Sequence, residues 1–125
     1  MEINEISGQI VDAAYKIHVA TGPGLLESVY QAMMAHELRK RGLLFVEQIP
    51  ISIVYDGVKL RKGFFADFIV EGLIIVELKS VEKVLPVYKK QLLTYLKLAD
   101  KPLGLLINFN VRLIKHGIDR IVNHL

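Results

Sequence analysis

Three charges inside the most apolar stretch of the chain constrain its fold more than any other feature. In Phe64–Ser80, FFADFIVEGLIIVELKS, runs rich in Phe, Ile, Val and Leu flank Glu71-Gly72. Glycine supplies the positive φ of a tight turn, so the stretch reads as two antiparallel strands. Asp67 falls in the first strand, Glu77 and Lys79 in the second. Side chains alternate across a strand, which puts Glu77 and Lys79 on one face. An odd-residue loop centred on Gly72 pairs Val70 with Ile74, and the same register sets Asp67 opposite Glu77. Opposed Cα atoms in such a pair lie about 4.5 to 5.5 Å apart. Both carboxylates and the lysine then project together.

Two carboxylates that close repel each other unless a cation lies between them or one is protonated. Hard oxygen donors at this separation suit Mg2+ or Mn2+, and Lys79 beside them could orient or deprotonate an attacking water. That chemistry hydrolyses a phosphodiester. Two structural readings compete: solvent-facing charges on a half-exposed sheet, and a buried ion pair between Glu77 and Lys79. The first fits poorly, because both faces are otherwise apolar. Phe65, Ile69, Leu73 and Ile75 share the charged face, and Phe64, Phe68, Val70, Ile74, Val76 and Leu78 form the other. A strand of this kind is covered on both sides, where an unpaired charge costs several kcal/mol, on the order of 2–7 even for a neutral polar group.

Asp67 followed by Glu77-Leu78-Lys79 resembles the PD-(D/E)xK signature of the restriction-endonuclease-like nuclease superfamily, with Ala66 where that signature often has Pro. Upstream, Gly24-Leu25-Leu26-Glu27-Ser28-Val29-Tyr30 matches the GxxExxY signature of a small family within it. Gln91–Leu96 and Leu106-Ile107-Asn108-Phe109 extend the likeness over nearly the whole chain. The resemblance implies a restriction-endonuclease-like α/β core, a mixed central sheet flanked by helices. It implies a site in which Asp67, Glu77 and the backbone carbonyl of Leu78 hold the metal. Glu27 would serve as a metal or water ligand, and Gln91 would contact the attacking water or the substrate.

The remaining elements follow from periodicity. Ile6, Ile10, Ala13, Ala14 and Ile17 mark an amphipathic helix over about 3–20, broken at Thr21-Gly22-Pro23-Gly24. A second helix over about 25–41 stops at Gly42, with Arg39, Lys40 and Arg41 near the negative end of its dipole. Glu27 and Tyr30 share a face there, and Tyr30 either touches substrate or packs in the core. His18 reads as an ordinary surface or core-edge histidine rather than a ligand, since no second His lies at a ligand spacing. Pro50 interrupts a strand over 43–55, which points to an edge, a bulge or two short strands. Asp56-Gly57 is a hairpin turn. Pro86 opens a helix to about Ala99, on which Tyr88, Gln91 and Tyr95 form one stripe, the two tyrosines being candidate substrate contacts. LGLLINF, residues 103–109, is a strand whose helical connection from the Glu77 strand makes it parallel. Val111–Ile114 extends a strand, and 117–122 is a last strand or short helix.

At 125 residues, 52% of them hydrophobic, the chain is expected to form one domain, and having no cysteine it has neither disulfides nor thiolate chemistry. The acidic start Met1-Glu2-Ile3-Asn4-Glu5 is unlike a signal peptide, no apolar run approaches the roughly 20 residues of a membrane helix, and a cytoplasmic location is expected. Net charge is only +3, with basic clusters at Arg39–Arg41, Arg61-Lys62 and Lys89-Lys90, and Lys97 and Lys101 beyond, that would suit a phosphate backbone. The expected function is a Mg2+- or Mn2+-dependent nuclease acting on nucleic acid, DNA before RNA. The alternative is a module that keeps the fold and binds nucleic acid or protein without cutting. So small a surface around the site implies a homodimer or a partner protein.

Overall fold

The computed structural model describes all 125 residues, the side chains of Arg61 and Lys62 excepted. Helix α1 spans Ile3–Thr21 and α2 spans Glu27–Lys40. Strands β1 (Phe45–Tyr55), β2 (Val58–Val70) and β3 (Ile74–Lys79) follow, then α3 (Pro86–Ala99), β4 (Leu103–Asn108) and β5 (Ile118–Val122). The five strands lie in sequence order in one sheet. Only β3 and β4 run parallel, the pair joined through α3; the other neighbours are antiparallel.

Local chemistry accounts for the boundaries. Gly42, at φ +71°, ends α2: its N–H bonds the Arg39 carbonyl, and the Leu43 N–H reaches back to Leu38. This pair of bonds satisfies two carbonyls that a helix terminus leaves open. Pro50 is tolerated inside a continuous β1 because β1 is an edge strand with one side free of ladder bonds. β2 is likewise one strand, its register against β1 shifting between Ser52 and Ile53. Gly63 sits at that shift, where a Cβ would collide with the Ile51 carbonyl oxygen. Residues 111–114 carry no strand, contrary to expectation; the chain bends there and closes a 3-10 turn at Ile114–His116 before β5.

The sheet separates two cores. On one side α1 and α2 pack Ile6, Ile10, Tyr30, Met34 and Leu38 against Phe68, Val70, Ile74, Val76 and Leu78. On the other, Leu92 and Leu96 of α3 pack against Ile51, Ile69, Ile75 and Leu106. β4 is buried over its whole length, as a central strand covered on both faces must be. Strict alternation fails at one place. Phe68 and Val70 face α1 and α2, but Phe64 and Ala66 pack with α3. In β1, Phe45 lies on the first side and Ile49 and Ile51 on the second. Both strands therefore change faces at Gln48 and Asp67, and Gln48 takes a left-handed φ of +47° to do so. This corrects the expectation that Phe64 shares a layer with Phe68. The architecture is the expected α/β arrangement, a mixed central sheet flanked by helices.

Candidate active site

The ladder between β2 and β3 runs Val70↔Ile74, Ile69↔Ile75, Phe68↔Val76 and stops there. The next pair in that register is Asp67 and Glu77, and here side chains replace the carbonyl acceptors. The Asp67 N–H donates to Glu77 Oε1 at 3.3 Å, and the Leu78 N–H donates to Asp67 Oδ2 at 2.8 Å. Each acid thus has one oxygen fixed by backbone. Asp67 Oδ1 accepts a long bond from Gln48 Nε2, 3.4 Å, and the same amide donates to Gln31 Oε1 at 2.8 Å.

A cleft of about 260 Å³ opens over this break. Glu27, Asp67, Glu77, Leu78, Lys79, Tyr88, Gln91 and Tyr95 all line it, drawn from α2, β2, β3 and α3. The Lys79 ammonium lies 4.6 Å from the centroid of the Tyr88 ring, so Tyr88 holds the lysine in place as well as facing the cleft. Tyr95 stacks on Phe64. Gln91 and Glu27 are exposed at the rim.

Electrostatics single out the pair. Burial raises the proton affinity of Glu77, and the neighbouring Asp67 charge raises it further, to a pKa of about 8. Burial pushes Asp67 upward too, opposed by its bond from Leu78 and by the Lys79 charge. Glu37, more deeply buried than either, is compensated by Lys16 at 3.4 Å and Arg41 at 3.5 Å. The contrast is chemical: Glu37 is surrounded by cations, whereas Glu77 faces a second carboxylate.

That donor set fits a hard divalent cation. Two carboxylates, each with an oxygen free of backbone bonds, converge where the Lys79 charge offsets their mutual repulsion only in part. Among the described residues no group of three or more His, Asp or Glu forms a ligand cluster. Glu27 lines the same cleft from its exposed rim, on the α2 side of the two opposed acids. Mg2+ keeps several waters and is bound through one or two carboxylates plus phosphate, so two suffice.

Of the two readings open for Tyr30, core packing is the one the structure shows. Tyr30 is fully buried, stacked on Phe109 with centroids 4.3 Å apart, and its hydroxyl donates to the Gly22 carbonyl at 2.6 Å while accepting from the Leu25 N–H at 3.3 Å. It is absent from the residues that line the cleft. Its work is to hold the 22–25 loop, which Ser80 also grips through Oγ to the Leu25 carbonyl, and so to aim Glu27. Tyr30→Phe should lower unfolding free energy by about 1–3 kcal/mol, because two backbone groups lose a buried partner. Denaturant titration checks this; a substrate contact would instead leave stability unchanged.

Several cations of the basic clusters are paired with acids. Arg39 and Arg41 pair with Glu47, Asp12 and Glu37, and Lys89 pairs with Asp119. The side chains of Arg61-Lys62 lie outside those described. His18 is buried, its Nε2 2.8 Å from the Val111 carbonyl, consistent with a structural histidine. Sequence reasoning gives no role to Gln48 or to the Asn108 side chain. Asn108 clamps the segment after Lys79, donating to the Val81 carbonyl and accepting from the Val81 and Asn110 N–H groups. Its polar side chain closing the apolar run LGLLI was the available signal.

An α/β sandwich whose β2–β3 hairpin opens on two acids, with a lysine two residues on, is an architecture of the restriction-endonuclease-like class. The model of the PD-(D/E)XK nuclease superfamily matches residues 4–121, and the chain belongs to that superfamily. No curated protein and no solved structure matches it. Among the described residues no helix is long and apolar enough to cross a membrane.

Proposed function

We propose that the chain is a Mg2+- or Mn2+-dependent nuclease that hydrolyses phosphodiester bonds in DNA. The observation that supports it most is the convergence of Asp67, Glu77 and Lys79 in one cleft, with the two carboxylates opposed and desolvated. Within the superfamily the reading is the GxxExxY family, supported by Gly24, Glu27 and Tyr30 forming one loop-to-helix unit beside the cleft.

Asp67, Glu77 and the Leu78 carbonyl would hold the cation. When bound, it would polarise the scissile phosphate and raise the acidity of the attacking water. Lys79 positions that water and offers a fixed cation to the charge that develops on the phosphate, in a cleft where it acts more strongly than in bulk water. Glu27 and Gln91 order the waters at the rim. Tyr88 restricts Lys79, and Tyr88 and Tyr95 offer contacts to the sugar and base beside the phosphate. With so little surface flanking the cleft, a second copy or a partner protein completes the grip on substrate.

Calorimetric titration with Mn2+ tests the metal site. Wild type should release heat that saturates, and Asp67→Asn should lose at least tenfold in affinity. Equal heats from both proteins would remove Asp67 from the site.

A further inference from the structure

Four aromatic side chains line the cleft, and three have their rings engaged. Phe64 and Tyr95 stack on each other, and Lys79 covers Tyr88. Phe65 forms no ring–ring or cation–ring pair among the described residues and is 63% exposed. It lies two residues from Asp67 on β2, roughly 6–7 Å along the strand. It also walls a second, smaller niche of about 60 Å³ formed with Pro50, Ser52 and Gly63. Phe65 thus stands between the carboxylate cleft and a groove along the β1–β2 arm. Leaving a phenylalanine in water forgoes the stabilisation that burial would return, and the site beside it handles phosphate.

We infer that Phe65 is a stacking platform for an unpaired nucleobase next to the scissile phosphate, so that the substrate is single-stranded nucleic acid or a frayed end. The inference rests on the nuclease reading of the cleft. A base within a duplex has both faces covered by its neighbours, so an exposed ring can accept only one that is out of the stack. A ring face is offered equally to every base, which makes the contact tolerant of sequence. The small niche at Pro50 and Gly63 lies beyond the ring, away from Asp67.

The test is binding without cleavage: a fluorescent single-stranded DNA oligonucleotide carrying 2-aminopurine, and its duplex, titrated with full-length protein in EDTA at low salt. Wild type should prefer the single strand and change 2-aminopurine fluorescence. Phe65→Ala should weaken single-strand binding roughly 5- to 150-fold, the ~1–3 kcal/mol of one stacked base, and abolish the fluorescence change, while Phe65→Tyr restores both. Duplex binding should move less than twofold. Preference for duplex, equal losses on both substrates, or no loss would overturn the platform. So would a wild-type dimer that Phe65→Ala converts to monomer with DNA affinity unchanged, since the ring would then serve self-association. If stacking is seen but wild type with Mn2+ cuts none of these DNAs, the nuclease reading fails and the platform stands. If wild type cuts duplex and single strand alike and Phe65→Ala cuts as well, the platform fails alone.

Discussion

Lys79→Ala should reduce single-turnover cleavage about 10²- to 10⁴-fold while substrate binding changes little. Removing one preorganised donor of this type costs about 10²–10³ in rate, and loss of a group that also manages a proton extends the range to about 10⁴. The geometry says why replacement is hard. Among the described residues Lys79 is the only cation that lines the cleft, and Arg39, Arg41 and Lys89 are paired with acids. Its ammonium is held over Tyr88 at 4.6 Å, so a freely moving amine in solution does not substitute for it. Lys79→Arg should recover only part of the rate, because a planar guanidinium delivers its charge at a different distance. A loss under tenfold for the alanine variant would remove Lys79 from the chemistry.

Glu77→Gln should stabilise the metal-free protein at alkaline pH, an advantage over wild type that added metal narrows, closes or reverses. The folded-state pKa of Glu77 is raised from 4.5 to about 8, chiefly by burial and then by Asp67. Folding therefore favours the protonated acid. Its stabilising contribution is full below about pH 4.5 and is lost as pH rises through about 8. Asp67 is pushed in the same direction, so it reinforces the decline. Glutamine keeps the shape and the acceptor for the Asp67 N–H without the charge. At pH 9 the variant should be more stable than wild type by a few kcal/mol, since each tenfold rise in proton affinity on folding is worth about 1.4 kcal/mol. Divalent cation at about 100 times its dissociation constant adds ~2.7 kcal/mol to wild type alone and closes or reverses the gap. Thermal melts at pH 5, 7 and 9, with and without Mn2+, measure it. A pH-independent difference would mean that the pair is not desolvated in solution.

The parts of this site set by local rules were legible in the sequence. Gly72 in an odd loop fixed the pairing of Val70 with Ile74, and that alone brought Asp67 to Glu77. Pro86 and Gly42 marked helix ends because proline and glycine have few other conformational uses there. Tyr88, Gln91 and Tyr95 met the cleft because a stripe of three- and four-residue spacings has only one face to offer. What escaped was conformation without a compositional mark. Gln48 adopts a left-handed φ that its residue type gives no reason to expect, which hides the change of faces at Asp67 and the placement of Phe64. Tyr30 stands open between core and substrate on sequence alone, since a buried hydroxyl requires partners, and those are carbonyl and amide groups of a loop. The basic run at 39–41 looks free because its acids Asp12 and Glu47 come from other elements.

The half-buried opposition of Asp67 and Glu77 carries the proposed function further than the likeness of any single motif. A lineage with no use for a cation would gain stability by replacing either acid, since among the described residues neither has a cation at salt-bridge distance. Glu37 shows the alternative arrangement, with Lys16, Lys40 and Arg41 around one carboxylate.

The most direct measurement is cleavage of labelled single-stranded, duplex and branched DNA and RNA in Mg2+ and in Mn2+, comparing wild type with Asp67→Asn. Metal-dependent cleavage by wild type, lost by at least 10²-fold in a variant that stays folded, is the expected result. No cleavage of any substrate by wild type while Mn2+ and nucleic acid still bind would contradict a nuclease and leave a binding module that has kept the fold.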